Sequence, residues 1–397
     1  MPNKPIFVLV LALLAGLAPA LAACGQAQMT DANGVNGANG AQPCVRHGSA
    51  FGRPCVGGSA PRVKQIGIAE PDLIAKPARV QASELAAMKA IGIVSIRLEA
   101  DWSSVQARGP KKFRWAPLDR VVRSVRAAGM SVDLIIDGCP AWAAKAGTSG
   151  DVSPTPARPA AFARFAGEVA ARYAPTGVRM FEIWNEPNSA GFWSPKPNPA
   201  AYTADLKAAY ASIKRADRSA FVVSGGLAPE VNDGTHINAI TFLQDMYAHG
   251  AKGSFNAVGY HPYSYPALPD SYQSWSGWSQ MNQTSPSIRS VMTSNGDAAK
   301  QVWITEAGAP SSGPDGVGQA AQAAALSEAI VGARTTSWIG GLYVYTWQDE
   351  GTGPGNYVDW FGLLTAGGTP KPAYAAVAAA LGRCGRTHRC ISRAADR

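Results

Sequence analysis

Residues 118–136 read LDRVVRSVRAAGMSVDLII, and this stretch decides the fold. Leu118, Val121, Val122 and Val125 recur at the three-and-four spacing that gathers apolar groups on one helical face, which predicts a helix over Leu118–Ala128. Gly129 follows, where the end of a helix needs a residue free to adopt a left-handed backbone. The chain then enters the apolar, isoleucine-rich run Val132–Ile136, short enough for a buried strand. Helix, glycine and strand together form one unit of a parallel sheet covered by helices.

The unit recurs in both directions. Ser83–Ile91 carries apolar residues at helical spacing, with Gly92 just beyond it. Strand-like runs start near Gln65, Val94, Val132, Met180, Phe221, Ala257, Val302 and Leu342, and a helix from Pro372 to Leu381 would close the ring. Eight such βα units predict an α/β fold, a single (β/α)8 TIM barrel serving as the catalytic domain over residues 63–383. A doubly wound open sheet is the alternative, but no glycine-rich phosphate loop follows the first strand.

In such a barrel the chemistry sits where the strands end at their C-terminal side. The fourth run ends Ile183-Trp184-Asn185-Glu186-Pro187-Asn188, and the seventh ends Trp303-Ile304-Thr305-Glu306-Ala307-Gly308. Two apolar strands thus deliver one glutamate each to the same rim. Glycoside hydrolysis needs such a pair, one carboxyl protonated and one ionised, across the anomeric carbon. Arg97 lies inside the apolar run of the second strand, where an unpaired charge would be costly, and an arginine near Glu306 would hold that carboxylate ionised.

The Asn-Glu-Pro at 185–187 and the Thr-Glu-x-Gly at 305–308 resemble clan A of the glycoside hydrolases. The chain looks most similar to family 39 and its relatives acting on bacterial polysaccharides, with family 5 next. The resemblance covers roughly residues 63–380 and implies a net-retaining, double-displacement reaction on β-type glycosidic bonds, with Glu186 as acid/base and Glu306 as nucleophile. It further implies that Asn185 binds the sugar 2-hydroxyl, that Arg97 steadies the nucleophile, and that His261 and Tyr263 line the site, the tyrosine hydroxyl on the nucleophile. Trp347 matches the aromatic platform beneath the reacting sugar. Trp142 is a weaker sugar-contact candidate, with Trp102, Trp193, Trp275 and Trp278 behind it. Glu99, Asp101 and Glu350 receive no assigned role. Neither the residues nor the resemblance implies a cofactor or a metal.

Outside the barrel the chain begins with Lys4 and an apolar run from Ile6 to Ala20, an export signal over residues 1–23. Leu21-Ala22-Ala23-Cys24 resembles the bacterial lipobox, which implies lipid on Cys24. Ordinary signal cleavage near Ala23 is the other reading, giving a secreted or periplasmic protein instead of a cell-envelope lipoprotein. Residues 24–62 hold a Gly/Asn/Ala/Gln spacer, which is a composition that cannot bury a core. Export makes disulfides reasonable, and the close pairs Cys44–Cys55 and Cys384–Cys390 are the expected bridges, the second in a basic tail at 384–397. This leaves Cys139 free.

The net charge of +9 invites anionic partners. Yet no basic run exceeds Lys111-Lys112 and no nucleic-acid motif accompanies it, so the expected partner is a carbohydrate, the chain is read as a monomer without nucleic acid, and membrane contact runs through the lipid alone. The function alternative of another class is a polysaccharide-binding lipoprotein with an idle cleft. Against it stands the presence of both glutamates with Asn185 and Arg97.

Overall fold

A computed structural model of the chain describes residues 64–383, apart from 149, 151 and 152. Eight parallel strands close into a barrel in sequence order: β1 (Gln65–Ala69), β2 (Ser95–Asp101), β3 (Ser131–Asp137), β4 (Met180–Asn185), β5 (Phe221–Gly226), β6 (Ala257–Tyr260), β7 (Gln301–Ala307) and β8 (Ile339–Tyr345). Around them lie α1 (Ala78–Ala90), α2 (Trp102–Val105), α3 (Ala116–Ala127), α4 (Pro159–Tyr173), α5 (Pro199–Ala216), α6 (Ala239–Ala248), α7 (Gly277–Asn282), α8 (Ile288–Ser294), α9 (Gln319–Thr335) and α10 (Pro372–Ala380). All eight expected strands form, and the fold is the (β/α)8 barrel that the repeat predicts.

The helix that opens the repeat, α1, starts five residues before the Ser83 expected from apolar spacing. Its first turn is anchored instead by a polar residue: the buried Gln81 amide donates to the carbonyls of Leu73 and Lys76. Gly92 (φ 100°) and Gly129 (φ 72°) do take the left-handed backbone that ends α1 and α3.

Two hydrophobic layers result. The larger lies between strands and helices, and contains Ile96, Phe181, Ile183 and Val344 from alternate strand positions. The smaller fills the barrel itself, with Ala69, Met180, Val223, Ala257, Trp303 and Tyr343. The period-2 alternation of strand side chains makes this division, so the inward positions above the inner plug are what the strands present to the mouth. Cys139 is buried and has no disulfide partner among the described residues. Cys24, Cys44, Cys55, Cys384 and Cys390 fall outside the described residues. Among the described residues no helix is long and apolar enough to cross a membrane.

Candidate active site

On β4 the alternation runs Met180 inward, Phe181 outward, Glu182 inward and Ile183 outward. Continuing it would drive Trp184 into the barrel. Trp184 instead has φ 72°, which swings its ring outward onto Phe162 and Trp193, where its indole N–H donates to Phe192 O at 2.7 Å. Glu186 is also left-handed, at φ 39°. Two such non-glycine residues on either side of Asn185 are costly, and such strain clusters at functional sites. The outcome here is that Asn185 and Glu186 both reach the mouth.

The same end is reached differently on β7. Trp303 faces in, Ile304 out and Thr305 in. The pairing with β8 then shifts register between Ile304 and Ala307, so that Glu306 joins Thr305 on the inner side. A bulge that re-aims a side chain beside an active site is a known use of that irregularity.

Inside the mouth the polar groups form one connected chain. Arg97, the third residue of β2, donates from Nε to Glu182 (2.6 Å), from Nη1 to Glu306 (2.7 Å) and from Nη2 to the Asn185 side-chain oxygen Oδ1 (2.9 Å). Glu182 further accepts from Gly226 N–H and from Thr305 Oγ1, both at 2.9 Å. Since Thr305 gives its proton to Glu182, it accepts from His261 Nε2 (3.0 Å). That assignment makes Nε2 the protonated nitrogen and turns Nδ1 toward Glu186 Oε1 at 2.9 Å. Tyr263 donates its hydroxyl to Glu306 Oε2 at 2.8 Å. Gly226 has to be glycine: a Cβ there would stand 2.1 Å from His261 Nε2 and 2.6 Å from Thr305 Oγ1.

The two glutamates end up in opposite states. Burial would raise the proton affinity of Glu306, but the charges of His261 and Arg97 and the hydrogen bonds from Tyr263 and Arg97 outweigh it and hold the carboxyl below its ordinary range. Burial raises Glu186, helped by the charge of Glu306 and opposed by the hydrogen bond to His261 and the charges of His261 and Arg97, and the carboxyl is held above its ordinary range. His261 is drawn toward its protonated form: burial opposes this, and the charge of Glu306 with the bond to Glu186 prevails. Glu186 Oε2 is buried and has no hydrogen-bond partner among the described residues.

One ligand atom from each of Glu186, His261 and Glu306 lies within 4.8 Å of the others. That spacing could hold a cation. The guanidinium 2.7 Å from Glu306 would repel one, and both Glu306 oxygens already accept hydrogen bonds.

Of the residues singled out in the sequence, Glu186, Glu306, Arg97, Asn185, His261 and Tyr263 come together here. Trp347 does not. It is 1% exposed and lies in the outer hydrophobic layer, 5.9 Å from the Tyr374 ring of α10, so it offers no face to a sugar. The aromatic that β8 turns toward the mouth is Tyr345, packed on the inner plug beside Phe361 with its hydroxyl on Glu350 at 2.9 Å. Trp142 is 37% exposed at the rim and donates to Gln106 O. Trp102, Trp193 and Trp278 are buried, and Trp275 is half exposed. Asp101 caps α2 through Ser103 N–H.

Three residues were missed. Glu182 and Thr305 brace the chain just described. Glu230, 6% exposed in the loop after β5, is pushed up to about 7 by burial and by the charge of Glu186. A readable signal existed for Glu182, a charge inside the apolar run Met180–Trp184, which by the reasoning applied to Arg97 demands a buried partner.

The family described as Cellulase (glycosyl hydrolase family 5) matches residues 64–341. No curated protein sequence matches the chain. Among solved structures, a family 39 glycoside hydrolase from Bacteroides cellulosilyticus WH2 is similar at TM-score 0.63 and 21% identity, covering 80% of this chain and 63% of that one. A monomeric beta-xylosidase from Caulobacter crescentus CB15 gives 0.59 and 18%, over 81% and 68%. A family 5 protein from Streptomyces cattleya in complex with GlcNAc gives 0.57 and 17%, over 81% and 80%. This chain therefore spans less than two thirds of the first of these. At such identities the likeness concerns the fold. The matching family is family 5, second to family 39 in the resemblance of the motifs.

Proposed function

The chain belongs to glycosyl hydrolase family 5, and from that premise we propose that it is a retaining glycosidase cleaving β-linked oligo- or polysaccharides by double displacement. The observation that carries this reading is the pair of carboxyls with opposed proton affinities, whose nearest oxygens lie within 4.8 Å. Retaining enzymes hold their carboxyls about 5–5.5 Å apart, whereas inverting ones leave about 6.5–9.5 Å for a water.

In the first step Glu306 attacks the anomeric carbon, the glycosidic C–O bond breaks, and Glu186 gives its proton to the departing oxygen. In the second, Glu186 takes a proton from water, whose oxygen displaces Glu306. The charge on Glu306 raises the proton affinity of Glu186 in the first step and disappears in the glycosyl-enzyme, where Glu186 must accept. Asn185 is oriented by Arg97, while its side-chain NH2 has no acceptor among the described residues and suits a sugar 2-hydroxyl.

The test uses Glu186→Ala and an activated aryl β-glycoside, whose leaving group needs no proton. The glycosyl-enzyme should form and then stall, and azide should restore turnover with a β-glycosyl azide as product. An α-azide from this variant would exchange the two roles. Failure of the unaltered protein to cleave any β-glycoside in a glycan panel would favour the idle-cleft alternative.

We further propose, on the sequence alone, a lipid anchor at Cys24 and bridges Cys44–Cys55 and Cys384–Cys390. Cys24→Ser should release the protein from the membrane fraction, and a non-reduced digest should contain both linked pairs. Closing such short loops contributes about 3 kcal/mol each in the chain-entropy model.

A further inference from the structure

The loop between α2 and α3 runs Gln106-Ala-Arg-Gly-Pro-Lys-Lys-Phe-Arg-Trp115. Arg108, Lys111, Lys112 and Arg114 are all exposed, and none has a carboxylate within salt-bridge reach among the described residues. Four cations within seven residues repel one another, and nothing beside them offsets the repulsion. A loop of that kind is relieved by an anion from outside.

The aromatic residues of the same segment are rigidly set. Phe113, 36% exposed, stacks on Trp115 at 5.2 Å and 8°. Trp115 stacks on Phe165 of α4 at 6.1 Å, and Phe165 on the buried Trp102 at 5.7 Å. Phe113 is thus the outer leaf of a column rooted in the core. Trp142 meets the same column edge-on at Trp102 (5.6 Å), its N–H held by the Gln106 carbonyl at 2.7 Å. Two anchored, open rings therefore accompany the four cations, Phe113 within the run and Trp142 held at Gln106, two residues before it. The loop follows β2, so it lies on the same barrel face as Glu186 and Glu306.

The floor of the mouth is a cluster of carboxyls that already resist further negative charge. Glu99, Asp101 and Asp137 end β2 and β3, and burial with their mutual repulsion pushes Glu99 up to about 7 and holds Asp137 well above its ordinary range, so that the three share fewer than three charges. An anionic sugar over that floor would be repelled, whereas a neutral one finds acceptors for its hydroxyls. From this division we infer that the substrate is an acidic heteroglycan, with neutral sugars at the point of cleavage and uronate units lying along the Arg108–Arg114 loop between Phe113 and Trp142. Sugar faces would rest on the rings, and uronate carboxylates would meet the cations.

This names the substrate class of the cleft proposed above and rests on that reading. Binding and not turnover is therefore measured, so that a failure here is distinct from a failure of the hydrolase assignment. The full chain is titrated by calorimetry with oligogalacturonate and with cello-oligosaccharide of matched length. Oligogalacturonate should bind more tightly, and its affinity should fall about tenfold or more as salt rises from about 50 to about 300 mM, as expected when several charge contacts are screened. R108Q/K111Q/K112Q/R114Q should lose that preference with an unchanged thermal midpoint, and Phe113→Ser should weaken binding of both oligosaccharides. Equal affinity for the charged and neutral chains would overturn the inference, as would a preference that survives the quadruple variant. So would loop-dependent binding to phosphatidylglycerol vesicles or duplex DNA in place of oligogalacturonate.

Discussion

The ends of β4 and β7 present the same residue type to the same mouth, and they make different acids of it. Burial acts alike on Glu186 and Glu306, favouring the proton on each. Glu306 then receives two donors, Arg97 and Tyr263, one on each oxygen. Among the described residues the Glu186 carboxyl has a single partner, the imidazole of His261, and its other oxygen has none. The number and charge of the donors, not the depth of the group, separate the two. Each carboxyl also reaches the mouth through a break in strand regularity, a left-handed backbone on β4 and a register shift on β7.

Removing one side of the comparison should have the largest effect. Glu306→Gln keeps the shape and deletes the nucleophile, and kcat on an aryl β-glycoside should drop by about 10^4-fold or more, with folding intact by thermal unfolding. Residual turnover within tenfold of the unaltered protein would remove Glu306 from the mechanism. Next is Arg97→Met, which takes the shared donor from Glu306, Glu182 and Asn185 together. Glu182 would be left buried without its ion partner, a loss of about 3–5 kcal/mol in urea unfolding. Unlike Glu306→Gln, this variant should lose stability as well as activity. A variant with unchanged stability would mean that the Arg97–Glu182 pair is replaceable.

Much of this was legible in the sequence, for physical reasons that can be named. The strands were readable because each is a short apolar run between helices of clear period, as in Leu118–Ile136. Glu186 and Glu306 were readable because a carboxylate that ends an apolar strand has to go to the barrel mouth. Side-chain direction was not readable wherever period-2 alternation fails. Strict alternation sends Trp184 inward and Glu306 outward, and both are reversed by backbone geometry that depends on neighbouring strands. Trp347 was misplaced for the same reason, two residues beyond the inward Tyr345 in a segment that has left the strand. Glu230 lies in a loop, and only folding brings it beside Glu186.

Tyr263→Phe sharpens the comparison more gently, by removing one of the two donors on Glu306 and no charge. A hydrogen bond to a charged group contributes about 1.5–3 kcal/mol, so kcat/KM should fall about 10- to 100-fold. The lost donor favoured the ionised form, so the proton affinity of Glu306 should rise, and the acid limb of kcat/KM against pH should move to higher pH. An acid limb that stayed in place while the rate fell would assign Tyr263 to sugar binding alone.

The smallest effect is expected on the other carboxyl, from Glu230→Gln. Glu230 is buried beside Glu186 and is pushed up to about 7, first by burial and then by the Glu186 charge. The influence is mutual: when Glu230 is ionised, its charge favours the proton on Glu186. Other charged groups also face Glu186, with Glu306 acting in the same direction and His261 and Arg97 against it. Replacing Glu230 by the neutral, nearly isosteric glutamine removes one of the two negative neighbours. The general acid works only while protonated, so kcat/KM falls as pH passes its proton affinity. Lowering that affinity should move the alkaline limb to lower pH by less than about one pH unit, with the acid limb, set by Glu306, unmoved. The shift should vanish for an activated aryl glycoside whose departure needs no proton, which separates an electrostatic role from a structural one. If both limbs moved together, the two carboxyls would titrate as one coupled pair and could not be assigned separate environments.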